Sequence, residues 1–133
     1  MAHGTIAFDT LTTSDQVNTS TEKSIDTSYI FNGVSKAWLQ MNGSGTAVVN
    51  DSFNITSMSD EGTGRYDTTF TYNMNNVNYS STGAAGELND SGGNRSLGLR
   101  ARATTGQNIV GFYDGNSVAD LVDLNLSVFG DLA

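Results

Sequence analysis

An all-β domain is what this sequence predicts, and three observations carry the prediction. Apolar and polar residues alternate with period two in several stretches, most clearly Tyr66, Thr68, Phe70, Tyr72 and Met74 against Asp67, Thr69, Thr71 and Asn73. Thr, Tyr, Phe and Val supply strand formers, while Gly and Asn punctuate the stretches as turn residues that tolerate positive φ. No segment of useful length shows helical periodicity. About seven to nine short strands with tight turns read as a small antiparallel β-sandwich or jelly-roll-like domain.

At 133 residues the chain has the size of one domain. Its core is lean, because only 37% of residues are hydrophobic. Charge is low as well, at 15%, and the absence of Pro together with six Phe, five Tyr and one Trp sets the chain apart from disordered sequences.

Residues 4–10 alternate, with Ile6 and Phe8 on one face, and predict a short strand. Residues 12–26 are polar, with Val17 and Ile25 as the large apolar exceptions, and predict an exposed loop or an arm lying on another surface. Residues 1–28 are therefore read as a strand and extended arm serving docking or subunit exchange, with Ile6, Phe8 and Leu11 as candidate docking residues. Residues 29–133 are read as a single β-sandwich domain.

Within that domain, Tyr29-Ile30-Phe31 is a short apolar run ended by the turn dipeptide Asn32-Gly33. Residues 36–41 read as a strand closed by Asn42-Gly43-Ser44-Gly45. Another begins at 46–49, and Phe53 and Ile55 continue its pattern toward Met58. The polar turn 59–64 joins residues 52–58 to the strand 66–74 as a hairpin whose ring-bearing side is hidden. Residues 77–80 extend or follow that strand, and the Gly-rich segment 83–94 reads as a long loop. Leu97, Leu99, Ala101 and Ala103 alternate again. Residues 109–113 form a strand ended by Asp114-Gly115-Asn116, and Val122, Leu124, Leu126 and Val128 mark the last strand.

The formal charge of −8, with only six Lys and Arg, excludes a phosphate-neutralising nucleic-acid binder and disfavours anionic membranes. Arg95, Arg100 and Arg102 read as balancing nearby Asp and Glu. No cysteine is present, so no disulfide or thiolate site exists. No window reaches the ~20 apolar residues of a membrane span, and the N-terminus lacks a signal-peptide pattern. Synthesis in a cytoplasm and release by a route such as host lysis is the expectation.

Catalysis finds little support. His3, the sole histidine, stands beside the initiator Met, a poor place to hold a triad imidazole. The carboxylates Asp60 with Glu61, Asp120 with Asp123, and Asp90 near Glu87 lack the apolar surroundings that raise a catalytic acid's pKa. No EF-hand spacing occurs, and the loop Asp90-Ser91-Gly92-Gly93-Asn94 offers two oxygen ligands. No enzyme activity, metal or cofactor is expected. Trp38, flanked by Ala37 and Leu39, reads as buried. Tyr113, beside its turn, is the better candidate for an exposed aromatic, against a core alternative. Asn108, Tyr113 and Asn116 form the candidate surface-contact set.

The block Lys36-Ala37-Trp38-Leu39-Gln40-Met41-Asn42-Gly43-Ser44-Gly45-Thr46 resembles one in virion structural and tail-fibre-like proteins of marine tailed bacteriophages, of the cyanophage and pelagiphage type. The resemblance continues through Asp51-Ser52-Phe53-Asn54-Ile55, the turn Asp60-Glu61-Gly62-Thr63-Gly64, residues 66–70 and the Asn78-Tyr79 pair. The opening Ala2-His3-Gly4-Thr5-Ile6 with Asp9-Thr10-Leu11, and the closing Gly130-Asp131-Leu132-Ala133, are similar to the ends of short virion proteins. Glu61 stands where such proteins often have Asn, and Asn50 where they often have a basic residue.

The resemblance implies a phage virion structural protein at the particle surface, a fibre- or tip-type component with host-surface contact, and association as a homotrimer. Its partners would be itself, other virion proteins and a host cell-surface glycan. A capsid decoration or head-fibre protein is the alternative, and a free-standing carbohydrate-binding module is the second.

Overall fold

The computed structural model describes residues 9–12, 24–86 and 93–133. Along the chain the elements are β1 (Thr10–Thr12), β2 (Ser24–Asp26), α1 (Thr27–Gly33), β3 (Ala37–Asn42), β4 (Val48–Phe53), β5 (Ile55–Asp60), β6 (Arg65–Phe70), β7 (Ser80–Gly86), β8 (Arg95–Ala103), β9 (Gly106–Tyr113), β10 (Ser117–Val118) and β11 (Asp123–Phe129). The protein is mostly β and divides into two compact units, Met1–Val34 and Ser35–Ala133.

In the first unit β1 and β2 pair antiparallel, with Thr10, Leu11 and Thr12 in register with Asp26, Ile25 and Ser24. The hydroxyls of Thr12 and Ser24 meet at 2.7 Å. Of the strand expected over 4–10, residues 4–8, with Ile6 and Phe8, lie outside the described residues, as does His3, while Thr10 opens β1. A seven-residue helix follows, where the sequence pattern suggested none. Its cause is local: Asp26 Oδ1 accepts the Ser28 amide at 2.7 Å, an N-cap that organises the turn around Tyr29-Ile30-Phe31. Hydrogen bonding from the Ser28 side chain, and then from its amide, holds the Asp26 carboxyl below the usual carboxylate range. The helix belongs to the first unit, which ends at Val34.

The second unit holds two antiparallel sheets. One runs β4-β3-β11-β7; the other runs β5-β6-β9, with β8 and β10 also paired to β9. Period-two alternation decides which residues enter the core. Ala37, Leu39 and Met41 of β3 are buried, as are Leu124, Leu126 and Val128 of β11. From the other sheet come Tyr66, Phe70 and Ile109. All join one cluster with Met74, Tyr79 and Leu121.

The hairpin expected around residues 59–64 is present, between β5 and β6. Its ring-bearing strand is shorter than the alternation suggests, because β6 ends at Phe70. Tyr66, Phe70 and Met74 are buried, but Tyr72 is 70% exposed. The change of direction is set at Asn54, which separates β4 from β5 with φ 56°. Its side chain accepts the Tyr72 amide at 2.7 Å and donates to the carbonyls of Lys36 and Tyr72, tying the corner down. Residues 46–58, read as one continued pattern, are thus two strands in different sheets. Part of the expected 83–94 loop is also strand: Gly83, Ala84, Ala85 and Gly86 pair with Leu126, Asn125, Leu124 and Asp123. Small residues there met no packing demand that the sequence could display.

Two tyrosine hydroxyls tie the elements together. Tyr66 Oη lies 3.0 Å from both the Gly43 carbonyl, just after β3, and Asp120 Oδ1, just before β11. Asp120 Oδ1 also accepts the Gly64 amide. Tyr79 Oη lies 3.0 Å from the Ala103 carbonyl and 2.9 Å from that of Gly106, while its ring meets Phe70 edge-on at 6.0 Å. Burial pushes both phenols above their ordinary range. For Tyr66 the hydrogen bond and charge of Asp120 add to the effect; for Tyr79 the Arg102 charge opposes it.

Tyr66→Phe removes the proton shared by Gly43 and Asp120 and is expected to lower unfolding free energy by about 1–3 kcal/mol in urea titrations. Because the folded-state phenol pKa lies above the unfolded value near 10, its contribution is complete below about pH 10 and falls as pH rises beyond it. Wild-type stability is therefore expected to drop above about pH 10, less steeply in Tyr66→Phe. Gly64 adopts φ 63°, and a Cβ there would sit 2.6 Å from the Ala119 carbonyl oxygen. Gly64→Ala is expected to cost about 2–3 kcal/mol in the same titration.

Candidate functional site

Strand geometry that buries Leu39 turns Trp38 outward. The outer face of the β4-β3-β11-β7 sheet carries a row in register, Phe53–Trp38–Ser127–Thr82, and beside it a second row, Asp51–Gln40–Asn125–Ala84. Trp38 is half-buried and Phe53 is 54% exposed. Two residues along β11 from the polar row, Asp123 Oδ1 accepts from Gln40 Nε2 at 2.8 Å and from Asn125 Nδ2 at 2.9 Å. That shared acceptor fixes both amides while leaving their carbonyl oxygens and second N–H groups available. Small residues (Thr82, Ala84 and Ser127) keep the β11-β7 side of the face low.

The two rows stand about 7 Å apart, two residues along the strands. One offers π-faces, the other fixed donors and acceptors. This is the pairing of chemistry that a pyranose presents in return: an apolar C–H face and a rim of hydroxyls.

Burial of Trp38 was the expectation, and the structure corrects it. Its apolar neighbours Ala37 and Leu39 point to the opposite face, so their apolarity marks Trp38 as the outward residue. The alternation Ala37/Leu39/Met41 against Trp38/Gln40/Asn42 was the signal that could have found the site.

The surface-contact residues named from sequence do not converge. Tyr113 and Asn116 share the β9–β10 hairpin, where Tyr113 is 36% exposed and the Arg95 guanidinium lies 4.6 Å from its ring centroid. Asn108 lies five residues back along β9, in register with Asp67 and on the other side of the strand from Tyr113. Leu11 of the candidate docking set lies in β1; Ile6 and Phe8 are outside the described residues.

Two of the three arginines, Arg100 and Arg102, differ from their expected role. Arg102 rests 5.0 Å from the Tyr79 ring centroid, and Arg100 makes no ion pair among the described residues. Asp60 accepts the Gly62 amide in the hairpin turn, and Asp120 and Asp123 are held as described above. Glu87 and Asp90 lie outside the described residues. Among the described residues no three His, Cys, Asp or Glu side chains converge as a metal site. No helix there is long and apolar enough to cross a membrane. Compared with family models, with curated proteins and with solved structures, the chain finds no match in any of the three.

Parity on β3 yields a direct expectation. Leu39→Ala should cost about 2–5 kcal/mol of stability, as for a buried leucine, whereas Trp38→Ala should cost about 1 kcal/mol despite removing far more side chain. Urea unfolding of the two variants checks the assignment of faces.

Proposed function

We propose that the chain is a structural protein on the surface of a tailed-phage particle, a fibre- or tip-type component without catalytic activity, which meets the host surface through a glycan. The observation that supports the contact is the outer sheet face on which Trp38 and Phe53 stand beside the Gln40–Asp123–Asn125 cluster. Aromatic side chains with two χ angles offer contact area at small entropic cost, and an amide pair already fixed by a carboxylate loses little on binding.

The virion part of the proposal is supported by where the resembling blocks fall. They coincide with β3 and the turn after it, the Asn54 corner, the β5–β6 turn and β6, which together supply core residues from both sheets. In this reading the sheets form a β-sandwich, and the copies associate as a homotrimer. Exposed Tyr29, Val34, Tyr72 and Val77 offer apolar surface for subunit contacts. A protein made in the host cytoplasm and carried on a released particle meets dilution at once, so covering such surface between copies is favourable. A free-standing carbohydrate-binding module would use the same face, and the particle experiment separates the two.

Mass spectrometry of purified particles of the phage encoding this sequence is expected to find the chain, and gold-labelled antibodies to mark the tail. Label over the head lattice would replace the fibre role by head decoration; absence from the particles would overturn the virion reading. Trp38→Ala combined with Phe53→Ala is expected to weaken retention of the folded protein on host glycan by about tenfold or more, read by affinity electrophoresis.

A further inference from the structure

The other sheet also has an outer face, and it carries a different chemistry. Arg65, Val110 and Gly98 lie in register across β6, β9 and β8, and the adjacent row is Val118, Phe112 and Ser96. Arg65, Gly98, Val110, Phe112 and Val118, together with Leu99 and Arg100, line an open depression of about 390 Å³. Its floor is Val110, only 4% exposed although it points away from the core.

Three features make this depression a formed site. Gly98 keeps it open: a Cβ there would lie 2.8 Å from Phe112 Cε2 and 2.9 Å from Val110 Cγ1. Arg65 leaves the fixed β5–β6 turn, its amide bonded to the Gly62 carbonyl at 2.9 Å. Arg100 stands at the bulge of β8 between Leu99 and Arg102, where the buried Gln107 amide donates to the carbonyls of Arg100 at 3.1 Å and Ala101 at 3.3 Å. The Gln107 carbonyl oxygen accepts the Ser81 hydroxyl at 3.2 Å, so the bulge is pinned from inside the protein. The backbone from which each guanidinium rises is thus held on both sides of the depression.

Neither guanidinium has a hydrogen-bond or ion-pair partner among the described residues. Asp67 follows Arg65 on the same face in register with Asn108, yet forms no ion pair with it. In a chain of charge −8 with six basic residues, two of them bracket one apolar depression. An arginine fork matches a planar carboxylate in two parallel hydrogen bonds, a geometry lysine cannot offer. The Phe112 and Val118 row, beside Val110 and adjacent to the two forks, suits the C–H face of a ring. The volume lies at the low end of ligand pockets, about 300–1,000 Å³, which fits one sugar unit rather than a nucleotide.

We propose that this face binds a carboxylated pyranose, a uronate unit of an acidic polysaccharide, with Arg65 and Arg100 on the carboxylate, Phe112 and Val110 under the ring, and Asn108 at the rim. At physiological ionic strength the protein's overall negative charge is screened beyond about 8 Å, so the local cations decide the encounter. The site is distinct from the Trp38 face and does not rest on the virion reading.

The test is amide NMR titration of the whole chain with a uronate oligosaccharide, a neutral hexose oligosaccharide of equal length and a sulfated one. The uronate is expected to shift the Gly98, Val110 and Phe112 amides, and the neutral oligosaccharide to leave them in place. R65Q combined with R100Q is expected to weaken the uronate at least about tenfold, with the remaining spectrum unchanged as a control on folding. The single variant R100Q, at an exposed strand position, provides the same readout should the double variant misfold. Equal response to the neutral sugar, shifts confined to the Trp38 face, or no shift at millimolar uronate would overturn the proposal. Stronger binding of the sulfated oligosaccharide would overturn the carboxylate assignment.

Discussion

The second unit depends on one buried phenol. Tyr66 rises from β6 in one sheet and brings its hydroxyl to the Gly43 carbonyl, at the end of β3 in the other, and to Asp120, which leads into β11. A hydroxyl in the core must be satisfied or it costs about as much as the hydrogen bond it fails to make. Satisfying this one forces three chain segments to meet at one point. Asp120 repeats the constraint on the Gly64 amide, so the β5–β6 turn is held by the same carboxylate. A lean core can be specific for this reason: a few polar ties with strict geometry set the arrangement that many apolar contacts would otherwise share out.

Tyr79 and Gln107 apply the same logic at the β8–β9 connection. Tyr79 closes the carbonyls of Ala103 and Gly106, while Gln107, fully buried, takes up those of Arg100, Ala101 and Asn108. A bulge leaves backbone groups unpaired, and here the buried Gln107 side chain takes them up from the inner side. The result is a strand whose irregularity is fixed in place, with Arg100 riding on it. What looks like a structural repair on the inner face is also what positions a cation on the outer one.

Because strands present two faces, the core and the contact surfaces are drawn from the same short segments. β3 gives Leu39 and Met41 to the interior and Trp38 and Gln40 to the outside; β9 gives Ile109 to the interior and Val110 to the outer depression. Substitutions at neighbouring positions therefore act on opposite faces of one sheet, one in the core and one on the surface. The two outer faces differ in character, one aromatic and amide-rich, the other apolar beside two guanidiniums, and both rest on the same shared core.

The period of the pattern was legible from the residues alone. It marked the β5–β6 hairpin, the β9 strand with its Asp114-Gly115-Asn116 turn, and the buried side of β11, since alternation is a local property of the chain. The cap that makes residues 27–33 a helix was also local, but seven residues are too few to display a helical period. Other features depend on partners distant in sequence. Asn54 becomes a corner only because Lys36 and Tyr72 come to it, and Tyr72 leaves the core for the same reason. Gly83–Gly86 looked like loop until Asp123–Leu126 supplied the strand it pairs with. Trp38 could be assigned to the outer face from parity once β3 was recognised. The rows that join it to Phe53, and Arg65 to Gly98, exist only through register, which hydrogen bonding across strands decides and no single segment encodes.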